Sequence, residues 1–286
     1  MLIIIILLII FVAGFSIYVA SRSYLFEKEP NKYTPAKYGF EFDEISIPTK
    51  NDRRLYGWWI PADNPSYEEL PTIILIHGWA RNVDRMMSYI KQLHPAGYNL
   101  LAFDSRCHGR SDDDKFSSMP KYTEDIQAGI AYSLELPNVD TNRIGLLGLS
   151  MGGAASIYAA SMDNRIQAVV TVGAFSHPEK VMGLEFRKHK IPFPIVWLVF
   201  RYMEIRIGKR FNQIAPSNNI AKGDAKFLLI HGINDETVPL DQAEELYEAG
   251  KPANTKLWKV AGKGHSDCNH HQGFWPKVLE FYKVNL

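Results

Sequence analysis

Three side chains of this 286-residue chain could together do chemistry that none of them does alone: Ser150, Asp235 and His265. Ser150 sits in Gly148-Leu149-Ser150-Met151-Gly152, between the apolar run RIGLLGL and a run of small residues. A serine hydroxyl is a poor nucleophile at neutral pH. It needs a base to take its proton, and the base needs a third group to orient it. Downstream, HGINDETVP offers the Asp235 carboxylate and VAGKGHSD offers the His265 imidazole. Taken singly, Ser150 could begin a tightly packed helix, Asp235 could cap a turn and His265 could be a surface-loop histidine. Taken in the order Ser, Asp, His, they predict nucleophilic acyl transfer.

That chemistry requires elements that hold the three groups at one edge of the fold. FEFDEISIPT and RLYGWWIP read as two strands around a polar turn at Asn51 and Asp52. Their connection is too short for a parallel crossover, so they are expected to be antiparallel. TIILIHG, YNLLAFD, RIGLLGL, IQAVVTVG, KFLLIHG and TKLWKVAG follow as six further strands. Several are continuous apolar runs, as strands buried on both faces must be. Helical segments separate them: one capped by Asp84 and running to about His94, one over TEDIQAGIAYSLEL, one of small residues after Ser150, DQAEELYEAG, and one from about Gln272. Alternating strands and helices predict an α/β fold, a mostly parallel eight-stranded sheet covered on both faces.

Within this plan each of the three residues follows a strand. A sharp strand-to-helix turn holds Ser150 in a strained conformation, and the flanking glycines remove the Cβ clashes that would forbid it. The helix N-terminus beneath supplies unpaired N–H groups and partial positive charge for an oxyanion. The two oxyanion donors are expected to be the backbone N–H of Met151 and that of Trp79, in the loop His77-Gly78-Trp79-Ala80 after TIILI. The Trp79 indole can also wall an acyl pocket.

IHGWARN, DSRCHGRSD, GLSMGG, HGINDETVP and GKGH occur in this order over roughly residues 40–286. With these motifs the chain resembles the α/β-hydrolase-fold serine hydrolases, and most of all the monoacylglycerol lipase and carboxylesterase-like branch, including its single-pass anchored members. The resemblance implies a two-step reaction through an acyl-enzyme on Ser150, with His265 as base and then acid and Asp235 as its orienter. It implies a small-molecule or lipid ester or thioester as substrate and no metal or organic cofactor. It also implies structural roles for Asp104 and His108. Cys107 departs from the pattern, since the family usually has glycine at that position of a D-x-R-G-H-G-x-S loop.

Leu2 to Ala20 carry no charge. A helix needs about 20 apolar residues to cross a bilayer, so the run predicts an uncleaved transmembrane anchor over residues 1–22. No Lys or Arg precedes it, and a cut after Ala20 would put bulky Tyr18 at −3, both unlike a cleaved signal peptide. Arg22, Lys28, Lys32 and Lys37 follow the run, which leans toward a cytoplasmic catalytic domain. A linker is expected over 23–37 and the hydrolase domain over 38–286. Net charge is +1, so no global charge argues for nucleic acid. Apolar residues make 46% and charged residues 22%, the balance of a chain with a full core. The two cysteines, Cys107 and Cys268, suggest neither a disulfide framework nor a CxxC site.

From about 176 to 216 the alternation lapses, where a cap insert is expected. Ile191 to Phe200 is apolar, with Arg187, Lys188 and Lys190 before it and Arg201, Arg206, Lys209 and Arg210 after it. This pattern suits a cap packed on the core and lining a ligand pocket first, and an interface with anionic lipid second, and the two can coexist. The local set His265, Cys268, His270 and His271 lacks the paired spacing of a structural zinc site. Asp112 to Asp114 lack an EF-hand pattern and read as a solvated loop. Asp267, close to His265, fits the acid's place after a strand less well than Asp235. Two other functions remain on the sequence: a serine peptidase on the same fold, and a non-catalytic binding module that retains the fold.

Overall fold

The computed structural model describes residues 14–22, 26–63 and 68–286. Its sheet has eight strands in the order β1-β2-β4-β3-β5-β6-β7-β8. The strands are β1 (Asp43–Thr49), β2 (Arg53–Ile60), β3 (Leu70–Ile76), β4 (Asn99–Phe103), β5 (Val139–Leu149), β6 (Ile166–Val172), β7 (Lys226–Gly232) and β8 (Thr255–Val260). β2 runs antiparallel to both β1 and β4, and every other pair is parallel. All five residues of β4 are buried, as are Ile73 to Ile76 of β3, because helices cover both faces of the sheet.

The helices are α1 (residues 14–22), α2 (Met87–Leu93), α3 (Met119–Ser133), α4 (Met151–Ala160), α5 (Pro178–Lys188), α6 (Phe193–Ile207), α7 (Phe211–Ile214), α8 (Leu240–Ala249) and α9 (Phe274–Asn285). Two apolar layers result. One contains Ile76, Phe103, Tyr122, Ile126, Ala155 and Leu229, from the side of α3, α4 and α8. The other contains Ile90, Leu93, Leu147, Val170, Phe274 and Val278, from the side of α2 and α9. The expected cap insert forms α5, α6 and α7.

Several local expectations are corrected. The helical turn after β3 is capped by Asn82, whose side chain accepts the Asp84 N–H at 3.1 Å, and not by Asp84. The Asp84 carboxylate is used elsewhere, accepting from Lys32 N at 2.5 Å and Asn31 Nδ2 at 3.3 Å. α3 begins at Met119, ahead of the expected Thr123, because Pro120 is compatible with a helix's first turn, where its missing N–H has no partner to lose.

The transmembrane anchor expected over 1–22 falls outside the described residues for 1–13. Among the described residues no helix is long and apolar enough to cross a membrane. Residues 14–22 are helical, with Ser16 and Ala20 buried and Phe15, Ile17 and Tyr18 exposed. The span expected as a linker lies along the domain in its described part. Phe26 packs on the rings of Trp79 (5.0 Å between centroids) and His108 (4.5 Å), and Lys28 donates to Ser111 O at 2.9 Å. Glu29 pairs with Arg81 at 2.6 Å.

Candidate active site

The parallel strands deliver their C-terminal ends to one edge, where open α/β sheets bind ligands. β5 ends at Leu149, and Ser150 follows with φ 50° and ψ −113°, outside the regions an L-residue prefers. Its N–H is held by Val172 O at 2.8 Å, and its carbonyl accepts the Ala154 N–H at 3.0 Å, which starts α4. The turn is possible only because its flanks lack side chains. A Cβ on Gly148 would lie 2.4 Å from Gly152 O, and one on Gly152 would lie 2.5 Å from Ile76 O. These are backbone atoms of packed elements and cannot move aside.

Asp235 and His265 meet across two loops. The Asp235 carboxylate is buried, and its Oδ1 accepts the N–H groups of Thr237 (2.9 Å) and Val238 (2.8 Å). Its Oδ2 lies 2.7 Å from His265 Nδ1. With Oδ1 fixed by two backbone donors, Oδ2 is aimed at the ring and sets its tautomer: Nδ1 carries the proton and Nε2 is left free to accept one. The ring lies against Gly173, where a Cβ would come within 3.0 Å of His265 Cε1. Gly173 directly follows Val172, the residue that holds the Ser150 amide. The ends of β5 and β6 thus bring the serine and the Asp–His pair to one place. Among the described residues the Ser150 hydroxyl makes no hydrogen bond, and catalytic hydrogen bonds of this kind often tighten only when substrate binds.

The Gly78–Trp79 peptide is held from behind. The Gly78 carbonyl accepts from His77 Nδ1 (2.7 Å), Tyr122 Oη (3.2 Å) and Arg81 N (3.3 Å). In a planar trans peptide the N–H points opposite to the C=O. Fixing that carbonyl therefore turns the Trp79 N–H to the other side. A Cβ on Gly78 would be 3.5 Å from the Ser150 Cβ, so the loop packs directly on the Ser150 turn. Met151 is the first residue of α4, and its N–H has no partner within the helix.

Two neutral histidines complete this support. His77 Nε2 accepts the Ser105 N–H at 3.0 Å, and His108 Nε2 accepts the Ala80 N–H at 3.2 Å. His108 Nδ1 donates to Arg106 O at 3.0 Å. Burial pushes the His77 pKa down to about 3, helped by the neighbouring His108, and burial also pushes His108 down to about 4. Both rings stay uncharged at neutral pH and keep an acceptor nitrogen for the loop.

The remaining residues singled out in the sequence take structural places. Asp104 is fully buried, and burial raises its pKa to about 6. It accepts from Val83 N at 2.6 Å and Arg110 N at 2.9 Å. Cys107 has φ 68°, a left-handed conformation that favours glycine over residues with a side chain. Here the Cys107 Sγ accepts the Asp114 N–H at 3.3 Å, tying the strained residue to the next loop. Beside it the fully buried Arg106 binds Asp125 (2.7 Å), Glu124 (2.6 Å) and Asp114 (3.3 Å). Cys268 donates to Gly264 O at 3.5 Å, His271 Nδ1 accepts the Gly273 N–H at 3.0 Å, and Asp267 Oδ1 accepts the Gly264 N–H at 2.7 Å. These contacts shape the His265 loop. Among the described residues, no group of three or more His, Cys, Asp or Glu converges as a metal site would require.

Three contributors escaped the sequence reading. Tyr122 looked like one more helix residue. His77 and His231 each close a strand as IHG, and that repeat is the signal that could have marked them. His231 Nε2 donates to Val238 O at 2.7 Å and lies 3.4 Å from Asp235 Oδ2, so it backs the carboxylate. Burial keeps its pKa low and the ring neutral.

A cavity of about 440 Å³ opens on Ser150. Trp79, Met119, Met151, Phe175, Met182 and Met203 are among its walls, so the cap roofs it with side chains from α5 and α6. Thioether side chains are adaptable and fill irregular space.

The same architecture recurs in solved structures. An esterase of Pyrococcus furiosus, Pf2001, superposes with a TM-score of 0.71 at 28% identity, over 90% of this chain and 96% of that one. The fold is that of the α/β-hydrolases. An acylaminoacyl peptidase of Pyrococcus horikoshii shares it at 21% identity and a TM-score of 0.66, over 86% of this chain and 42% of that one. The family model described as serine aminopeptidase, S33, matches residues 68–203. Similar proteins include the uncharacterised YfhR of Escherichia coli K12, 28% identical over 86% of this chain and 82% of the relative. Protein bem46 of Schizosaccharomyces pombe is 24% identical over 89% of this chain and 81% of the relative. Fold and family match support a serine hydrolase of the α/β class.

Proposed function

We propose that the protein hydrolyses carboxylic esters of lipid-like acids through an acyl-enzyme on Ser150. The observation that carries this reading is the apolar cavity opening on Ser150. Its walls favour an acyl chain, and among its lining residues the only carboxylate is Glu185, already engaged by His189 at 2.8 Å. An aminopeptidase has to hold a free ammonium beside its nucleophile, and the one carboxylate of this pocket already has the His189 ring at 2.8 Å. Peptide cleavage remains the second reading, favoured by the match to the aminopeptidase model over 68–203.

In the proposed reaction, Ser150 attacks the ester carbonyl as His265 Nε2 takes its proton. Asp235 stabilises the imidazolium. The N–H groups of Met151 and Trp79 bind the oxyanion, which forms only as the bond is made, so their hydrogen bonds lower the barrier rather than merely bind substrate. The imidazolium then protonates the leaving alcohol. Water, deprotonated by His265, attacks the acyl-enzyme and frees the acid. Anchoring by residues 1–22, with this domain on the cytoplasmic side, is part of the proposal. It rests on the uncharged run Leu2–Ala20 and on the cations that follow it.

Tyr122 is a positioning residue in this scheme, acting on the Trp79 N–H through the Gly78 carbonyl. Losing one such hydrogen bond is worth about 1 kcal/mol. Tyr122→Phe is therefore expected to lower kcat several-fold, by up to about tenfold, with KM unchanged. A purely structural role would instead show as a lower melting temperature with kcat intact.

The substrate reading is tested with nitrophenyl esters of two to sixteen carbons. Each methylene buried in the cavity contributes about 0.8 kcal/mol. Under this reading kcat/KM rises roughly fourfold per methylene until the pocket is full, then levels or falls. No hydrolysis at any length, together with cleavage of aminoacyl anilides, would replace the ester reading with the peptidase one.

A further inference from the structure

We propose that the corner between α5 and α6, on the outside of the cap, is a docking surface for a membrane bearing anionic lipids. The inference is independent of the chemistry at Ser150. α6 divides its apolar residues between two sides. Val199, Phe200 and Met203 are buried, whereas Phe193 (77% exposed), Trp197 (51%) and Ile205 (77%) face outward. The outward residues are four and eight positions apart, which puts them on one side of a helix of 3.6 residues per turn. Pro192 and Pro194, also exposed, extend the apolar tip. The core therefore accounts for only half of this apolar helix.

The surrounding charge favours lipid over a second apolar protein face. Arg187, Lys188, His189 and Lys190 are exposed in the turn that leads into α6. Glu185 is the carboxylate of this turn, and it takes His189 (2.8 Å) and Lys188 (4.0 Å). Arg187 and Lys190 have no carboxylate partner among the described residues. Glu179 and Glu204, the other acids against α6, are occupied by Arg201 (2.7 and 2.6 Å), and Glu204 also by Arg210 (2.9 Å). Exposed aromatic and proline residues rimmed by unpaired cations match a headgroup layer that is negative outside and apolar beneath.

Two further features fit that occupant. A cleft of about 570 Å³ lies between α5 and α6, with Phe186, Ile191, Phe193 and Val196 among its apolar walls and Arg187 among its lining residues. It has room for part of a lipid chain with its headgroup at the arginine. At the other end of α6, Arg206 and Ser21 line one shared hollow, so the end of α1 lies beside this element. Phe15, Ile17 and Tyr18 of α1 are exposed as well.

Trp197 is the most exposed of the six tryptophans, and the others are buried or half-buried, so quenching of Trp197 reports this corner. The full-length chain would be mixed with vesicles of phosphatidylcholine, with and without about a third phosphatidylserine, carrying brominated acyl chains that quench on contact. Wild type is expected to show a quenched component in phosphatidylserine vesicles. Trp197→Phe should lose that component, and Arg187→Gln with Lys190→Gln should reduce it at least fivefold, as should vesicles without phosphatidylserine. Equal quenching of wild type and Trp197→Phe in anionic vesicles would overturn the docking surface. Quenching of Trp197 that is indifferent to lipid charge and to the double substitution would overturn the requirement for anionic lipid.

Discussion

Replacing Ser150 by alanine is expected to lower kcat for a nitrophenyl ester by roughly 10⁵- to 10⁶-fold, because in the proposed mechanism the nucleophile, base and orienter act as a unit and the loss of one removes the function of all. The fold should survive. Ser150 contributes its backbone to the turn through the bonds to Val172 O and from Ala154 N, and alanine keeps both. The strain at φ 50° is common to serine and alanine, so the melting temperature should change little. What remains after the substitution is the slow turnover that oxyanion donors and a shaped pocket support without a nucleophile. A residual rate within tenfold of wild type would mean that another group attacks the ester.

Asp235→Asn is expected to have the second largest effect, about 10⁴-fold in kcat. The reason lies in which oxygen is already committed. Oδ1 accepts two backbone N–H groups, from Thr237 and Val238, and an asparagine keeps those bonds only by placing its carbonyl oxygen there. Its NH₂ must then take the place of Oδ2, 2.7 Å from His265 Nδ1. A donor in that place stabilises the tautomer with Nδ1 unprotonated. The proton moves to Nε2, the nitrogen that has to accept from Ser150. The base is lost with almost no movement of atoms. Steady-state kinetics and a melting curve on the same preparation would check this, with kcat falling by orders of magnitude and folding intact. Activity within tenfold of wild type would remove Asp235 from the proposed machinery.

Much of this arrangement was legible because it is local in sequence. The apolar runs of β3, β4 and β5 are continuous because both their faces are covered, and that composition cannot be mistaken for a half-solvated strand. The turn at Ser150 was legible through Gly148 and Gly152, whose missing side chains are required by backbone atoms only 2.4 and 2.5 Å from where a Cβ would be. Long-range contacts left no such mark. Tyr122 reaches the Gly78 carbonyl across 44 positions, and nothing in the helical spacing of α3 points there. The true partners of Asp84 are hidden from the sequence for the same reason. A cap is a contact over two or three residues, whereas the partners that claim this carboxylate, Asn31 and Lys32, approach from a segment that reads as a linker. The cap insert was found as a lapse in the alternation. Its division into an inner face on the pocket and an outer face of Phe193, Trp197 and Ile205 depends on how α6 is rotated, which composition does not specify.

Covalent capture tests the central claim most directly. The full-length protein would be treated with a fluorophosphonate, which reacts with a serine only where a base activates it and donors hold the oxyanion, and its intact mass and labelled peptide would be measured. One adduct at Ser150, absent in Ser150→Ala and strongly slowed in His265→Ala, is the predicted result. A folded protein that takes up no probe at Ser150, or labels equally well when His265 is replaced, would contradict the account.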